Sequence, residues 1–417
     1  MSWEMKHSGI EWIGEIPKEW KYSFLKYIYI FEKGKNAQQY TKDYIGIHPG
    51  VFPVYSGQTE NEGVMGCIDT FDYDIDECLF TTTVGAKVMT PKILRGRFSL
   101  SQNCLIMKKK KLDINNTFFY FLLISLFDYQ KSLIPSHMQP SLRIEDLNTY
   151  SFYLPSPSEQ QKIANYLDKV CGEVDEMIAL QEQMIEELKA YKQSVITEAV
   201  TKGLNPDVPM KDSGIDWIGE VPEHWNLHQF RRIFVIKKII AGTLGYDVLS
   251  VTQNGIKVKD LTKNEGQIAQ DYSKYQLVDV HDYVMNHMDL LTGYVDCSKQ
   301  VGVTSPDYRV FRAIDKTQIS LSYYLKIFQT CYKEKIFYHL GQGVSGMGRW
   351  RLPADQLKLF YLPMPPLSEQ QSIASYLDTK CAEIDALIAI KQAKIEELKD
   401  YKKSVIYEYV TGKKEVI

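Results

Sequence analysis

The stretch MKHSGIEWIGEIPKEW at Met5 returns as MKDSGIDWIGEVPEHW at Met210, with eleven of sixteen positions identical. A second stretch also returns: PSPSEQQKIANYLDKVCGEVDEMIAL from Pro155 reappears as PPLSEQQSIASYLDTKCAEIDALIAI from Pro365. The likeness runs on through IEELKAYKQSVITEAVT and IEELKDYKKSVIYEYVT, so that 27 of the 44 positions from Ser158 to Thr201 match those 210 residues later. Between these shared parts little of 21–150 aligns with 226–360. The order is opening motif, variable block, long shared segment, and then the same again. Such a chain must fold as two related halves, and 417 residues are too many for one ordinary core.

The shared segment reads as a helix. Ser158 is the N-cap expected from sequence, following Pro155 and Pro157 and preceding Gln161 in capping-box spacing. Apolar residues then recur in steps of four and three at Ile163, Leu167, Val170, Val174 and Met177, then Met184, Leu188, Tyr191 and Val195. The second copy gives Ile373, Leu377, Ile384, Leu387, Leu398, Tyr401 and Val405. That is a heptad stripe, the pattern of a coiled coil. Gln181 and Lys391 interrupt the stripes at equivalent positions, either setting register or facing water as the stripe drifts. Cys171 and Cys381 flank the stripe as packing residues, and the acidic pairs at Glu186 and Glu396 are surface charge.

A helix of 44 residues extends about 66 Å. Neither long helix has a partner within its own half, so each is expected to pair with the other. Helix two must run back for its start to stay near the second block, which makes the pair antiparallel. By pseudo-two-fold symmetry the end of the second helix, near Thr411, should meet the first opening motif near Met5. The chain would then be a circle cut at one point. Trp12 and Trp217, with Pro17 and Pro222, would dock each block onto a helix terminus. The expected fold class is α+β, with two globular α/β-type domains joined by two long antiparallel helices. The expected domains are residues 1–156, with the opening motif at 5–20; the helix 157–204; residues 205–366, with the motif again at 210–225; and the helix and tail 367–417.

Composition narrows the function. A formal net charge of -3 argues against a sequence-blind nucleic-acid coat, though not against local basic grooves. The seven cysteines include no C-x-x-C pair, as expected of reduced thiols in a cytoplasmic protein. The start of the chain has no signal-peptide pattern. The most apolar run, TFFYFLLISLF from Thr117, is far short of the ~20 residues of a spanning helix and reads as a buried one, so no membrane is expected.

No catalytic constellation stands out: neither a Walker A loop nor H-E-x-x-H occurs, nor the N-P-P-aromatic motif of amino-methyltransferases. GQGVSG at Gly341 matches G-x-G-x-x-G, but without the strand-then-helix setting that dinucleotide binding needs, and reads as a loop. His281, His287 and Asp289 match no usual metal-site spacing. No catalytic or metal-binding residue is therefore expected.

A divergent block of about 150 residues, a P-x-x-x-EQ-x-x-I-A-x-Y-L helix start and a GI-x-WIGE-x-P-x-x-W motif, each present twice, resemble the specificity subunit of type I restriction–modification enzymes. YSGQTENEGVMG, TTTVGAKV and FSLSQNCLIM in the first block, and VGVTSPDYRVFR in the second, are similar to that family's target-recognition domains. The resemblance implies that each block reads one half of a split double-stranded DNA site. The helices would fix the separation and bind methyltransferase subunits, two of them. Those subunits would hold S-adenosylmethionine, while restriction subunits use ATP and Mg and cut DNA. This chain would bind no cofactor and catalyse nothing. Half-sites about a turn (~34 Å) apart present one face of the duplex, and a stiff helix pair can hold such a spacing.

Candidate phosphate contacts are Lys35, Lys87, Arg95, Arg97, the run Lys108 to Lys111, Lys257, Lys259, Arg349 and Arg351. Base edges suit Gln58, Asn61, Gln102, Asn103, Asn254, Asn286 and Arg349, which can make paired hydrogen bonds. TTTVGAKV is the preferred phosphate loop, with Gly85 allowing close backbone approach and Lys87 supplying charge. Each of these residues could instead be an ordinary polar loop residue. Other readings of the whole chain are a coiled-coil adaptor holding two protein-binding domains, a specificity subunit of another restriction type, and a duplicated enzyme.

Overall fold

The two long helices cover Pro157–Lys202 and Leu367–Val410 in the computed structural model, which describes residues 3–58, 60–85, 87–261, 271–343 and 350–416. The cap of the first lies two residues before the expected Ser158. Pro157 occupies the first helical turn, where its missing N–H leaves nothing unsatisfied. Ser156 does the capping: its hydroxyl accepts from the Glu159 N–H at 3.3 Å and its carbonyl from that of Gln160 at 2.9 Å.

The chain divides into two units, residues 1–182 with 392–417 and residues 183–391. Both contain a piece of each long helix, and in both the pieces run antiparallel. In the first unit Tyr166 meets Tyr409 and Asp175 pairs with Lys402 at 2.6 Å. In the second Met184 lies 3.3 Å from the Lys391 amine and Lys192 pairs with Asp385 at 2.6 Å. Lys192 and Lys402 are one position of the repeat, and Asp175 and Asp385 another, so the bridge is one interaction made twice.

The buried face departs from the heptad expectation. Ile163, Leu167, Cys171 and Val174 are buried, followed by Ile185, Ile196 and Val200; on the other helix Ile373, Leu377, Cys381, Ile384, Ile395, Leu398, Val405, Ile406 and Val410 are buried. Val170, Leu188 and Val195 are half-buried. Tyr191, Leu387 and Tyr401, which the heptad places in the seam, are 51%, 48% and 53% exposed. A helix of 3.6 residues per turn drifts about 20° per heptad, so the seam moves from Val170 to Cys171 and from Tyr191 to Lys192 and Ile196.

In the first unit a six-stranded sheet has the order 29–33, 104–109, 73–82, 92–100, 49–55, 64–68, antiparallel except where 92–100 meets 49–55. The apolar run forms the helix Asn116–Ser132, capped by the Asn115 side chain, which accepts from the Phe118 N–H at 3.0 Å. Its Phe118, Phe119 and Leu122 share one core with Ile16, Trp20, Ile163, Leu167, Ile406 and Val410. The chain ends meet here. The Tyr407 hydroxyl donates to the Trp12 carbonyl at 2.9 Å, and Gly412 turns at φ +64° against Pro17.

The second unit repeats the plan with a smaller sheet, in the order 234–237, 309–313, 283–285, 295–297. The helix Leu321–Lys333 is capped by Ser320 and shares a core with Ile196, Val200, Val221, Trp225, Ile373 and Leu377. Short antiparallel ladders of matching position, 21–24 with 151–154 and 226–229 with 361–364, lead into the long helices. The blocks are thus one design that sequence comparison does not align. In each motif the last tryptophan, Trp20 or Trp225, is the one buried. Trp12 and Trp217 are half-buried, against Tyr129 and Phe360.

Candidate nucleic-acid interface

Four loops of the first block gather at one end of its strands. Pairing of Lys33 with Leu105 brings the segment after strand 29–33 beside the turn 101–103. The Thr83 N–H donates to the Asn103 carbonyl at 2.8 Å and that of Ser101 to the Tyr55 carbonyl at 2.9 Å, drawing in the loops that follow residues 82 and 55. Gly34 allows this closeness, since a Cβ there would lie 2.5 Å from the Leu100 carbonyl oxygen. Asn103 takes the left-handed turn position at φ +63°.

The result is an open cleft of about 650 Å³ that brings together Lys35, Gln102 and Asn103. Lys33, Asn36, Gln38 and Gln39 also line it, and none of the described lining residues is acidic. The sequence reading missed these four, although KGKNAQQ is a contiguous polar run after a strand. The Lys35 amine lies 4.7 Å from the centre of the Tyr73 ring and donates to the Asp72 carbonyl at 3.0 Å. Asn36 donates to the Asp72 carboxylate at 2.6 Å. Burial, helped by Glu32 and Asp72, pushes the Tyr73 hydroxyl up to about 12, so it stays protonated and donates to the Lys33 carbonyl at 2.8 Å. The cation is therefore held in place before any ligand arrives.

Other candidates of this block are already engaged. The Gln58 amide donates to the Glu60 and Val64 carbonyls, and Asn61 donates to Val64 as well, so both close their own loop. Arg97 pairs with Asp74 at 2.9 Å over the Phe71 ring, and Arg95 with Glu77 at 2.6 Å. Lys108 pairs with Glu32, and Lys110 donates to the Lys26 carbonyl at 2.6 Å. Half-buried Lys87 sits in the loop closed by the bridge between Thr82 and Val88, and its carbonyl accepts from the Thr82 hydroxyl.

In the second block the hairpin of strands 249–252 and 255–258 turns at Asn254, leaving Asn254 and Lys257 exposed. Gln253 donates to the Thr292 carbonyl at 3.4 Å, joining the hairpin to the segment 286–293. The His287 carbonyl accepts from the Leu352 N–H at 2.9 Å, and Arg309 donates to the Leu352 carbonyl at 3.0 Å. Exposed Arg351 is presented beside that clamp. The Asn286 side chain accepts from the Met288 N–H and so shapes its own turn. Arg349 and the second half of GQGVSG lie outside the described residues.

Burial, with Arg309, Arg351 and Lys238 nearby, pushes the His287 imidazole down to about 4, so it is neutral near pH 7. The Asp289 carboxylate accepts from the N–H groups of Leu291 and Thr292 and from the Thr292 hydroxyl, which caps the turn. His281 is exposed in a left-handed turn. The described residues contain no cluster of three metal-ligating side chains and no helix long and apolar enough to cross a membrane.

Comparisons with known proteins agree with this layout. The family model described as type I restriction modification DNA specificity domain matches residues 17–190 and 238–400. The type I restriction enzyme MpnII specificity subunit of Mycoplasma pneumoniae is 29% identical over 165 residues, 39% of this chain and about half (49%) of that protein's length. The type I restriction enzyme MjaVIII specificity subunit of Methanocaldococcus jannaschii is 24% identical over 77% of this chain and 76% of its own. A chain from a solved structure of a type I restriction–modification system has the same fold, with a TM-score of 0.67 at 12% identity, covering 95% of this chain and 98% of that one. With two copies of the shared segment and a family match across both halves, the chain belongs to the type I restriction–modification DNA specificity family.

Proposed function

We propose that each variable block reads one half of a split double-stranded DNA site, and that the long helices set the spacing and carry two methyltransferase subunits. One observation carries this reading: a single scaffold, repeated down to its helix–helix ion pair, bears two blocks that share a plan but not a sequence. Identical mounts with different readers suit two unlike half-sites. In the first block Lys35 holds a phosphate while Gln102 and Asn103 face base edges; in the second, Lys257 and Arg351 hold the backbone beside Asn254. The chain does no chemistry itself. S-adenosylmethionine belongs to the methyltransferase subunits, and ATP and Mg to the restriction subunits, the whole complex working in the cytoplasm.

Modified-base sequencing of the host genome, with this gene intact and deleted, tests the reading. Methylation should disappear at one split motif on deletion. Unchanged methylation at every motif would contradict it.

A further inference from the structure

Gln160 and Gln370 are the same position of the repeat, in the first turn of each long helix, and both are buried to within 1% although they face an otherwise apolar core. Each uses both ends of its amide. The Gln160 oxygen accepts from the Asn115 N–H at 3.1 Å and its nitrogen donates to the Pro155 carbonyl at 3.1 Å. The Gln370 oxygen accepts from the Ser320 N–H at 2.8 Å and its nitrogen donates to the carbonyls of Pro365 at 2.9 Å and Gln318 at 3.1 Å.

The partners are equivalent as well. Asn115 and Ser320 are the N-caps of the main core helix of each block, and Pro155 and Pro365 directly follow the strand by which each block returns to its long helix. One amide thus ties three things together: the block's core helix, its exit strand and the first turn of the long helix. Apolar packing across the same junction is non-directional and tolerates small pivots. A buried amide bonded at both ends does not, because leaving either end unpaired is costly. Glutamine alone has the reach with one donor end and one acceptor end.

We infer that Gln160 and Gln370 are positioning residues that pin each recognition block to its long helix at one angle, and thereby set how strictly the complex demands one spacing between half-sites. The inference rests on the split-site reading above. A block free to pivot would still read its bases but would accept a site displaced by a base pair, since specificity is a difference between two affinities.

The test uses the complex assembled with its methyltransferase subunits. Binding is measured on duplexes with the native spacing, with one base pair added or removed, and with one half-site scrambled. The parent should discriminate against all the altered duplexes. Gln160→Leu should still reject the scrambled half-site, while its preference for native over altered spacing falls about tenfold, as expected for the loss of one or two buried hydrogen bonds. Gln160→Asn keeps a donor end and an acceptor end but is one methylene too short to reach both partners, so its preference should fall by a smaller factor. It carries the test if the leucine variant does not fold. Equal weakening on every duplex, with the spacing preference intact, would overturn the inference, and so would failure of both variants to fold. A parent indifferent to scrambling would instead contradict the split-site reading itself.

Discussion

Tyr166 lies against Tyr409 with ring centroids 4.4 Å apart, whereas their counterparts in the second unit, Tyr376 and Ala199, line an open cleft of about 700 Å³. Trp225 donates to the Glu369 carboxylate at 2.9 Å, but the buried indole N–H of Trp20 has no partner among the described residues. Yet the Lys–Asp bridge between helices and the glutamine tie are made in both units. Bonds that fix the helix pair and the block mounting are duplicated, while packing around them has drifted. Two halves of common design need the same geometry at the mount and are free everywhere else.

The sharpest way to break the comparison is to disable a buried ion-pair cluster of the second unit. Lys237 and Arg312 both pair with buried Asp282 in the second block, at 2.8 and 2.9 Å. Asp282→Ala would leave the Lys237 amine, whose side chain is 6% exposed, paired with the half-exposed Asp279 alone, and should cost the second unit about 3 kcal/mol, the lower end for breaking a buried ion pair. Hydrogen exchange would show the loss confined to residues 183–391; an equal loss in the first unit would mean that the two do not respond separately.

Next come the glycines that end the long helices. Both Gly203 and Gly412 have left-handed backbone, at φ +78° and +64°. An added Cβ would lie 3.2 Å from the Trp225 ring at Gly203 but 2.4 Å from the Pro17 ring at Gly412. Gly203→Ala should therefore cost roughly 1–2 kcal/mol and Gly412→Ala roughly 2–3, measured by urea unfolding. A larger cost at Gly203 would contradict the tighter closure of the chain ends.

The effect that vanishes at neutral pH is acid sensitivity in the second block. An unfolded histidine titrates near 6.5, while burial and neighbouring cations push His287 down to about 4. Below pH 6.5 the unfolded chain takes up a proton that the folded one refuses until about pH 4, so stability is lost as pH falls through that window. Asp279 adds to the loss at lower pH, because hydrogen bonds from Lys237 and Arg312 hold its carboxyl below the usual range. His287→Leu should flatten the pH dependence between 6.5 and 4 and leave the first unit unchanged. The same slope in the variant would remove His287 from the account.

Much of the scaffold was legible because it is written twice. The repeat exposed the helices, their direction and the meeting of the chain ends at Tyr407 and Trp12. The seam was misread at Tyr191, Leu387 and Tyr401 because a strict heptad ignores the drift of a straight helix. The block plan was hidden, since its defining contacts join residues as distant as Asn115 and Gln160. Residue type and loop placement found Lys35, Gln102 and Asn103, which do share a cleft. They failed for Gln58 and Arg97 because nothing local reveals that an amide closes its own loop or that Asp74, on the neighbouring strand, pairs with an arginine.

The most direct measurement replaces residues 21–150 with the corresponding block of another family member and sequences modified bases genome-wide. One half of the methylated motif should change, while the other half and the spacing stay as they were. A motif changed in both halves, or in neither, would contradict the assignment of one half-site to each block.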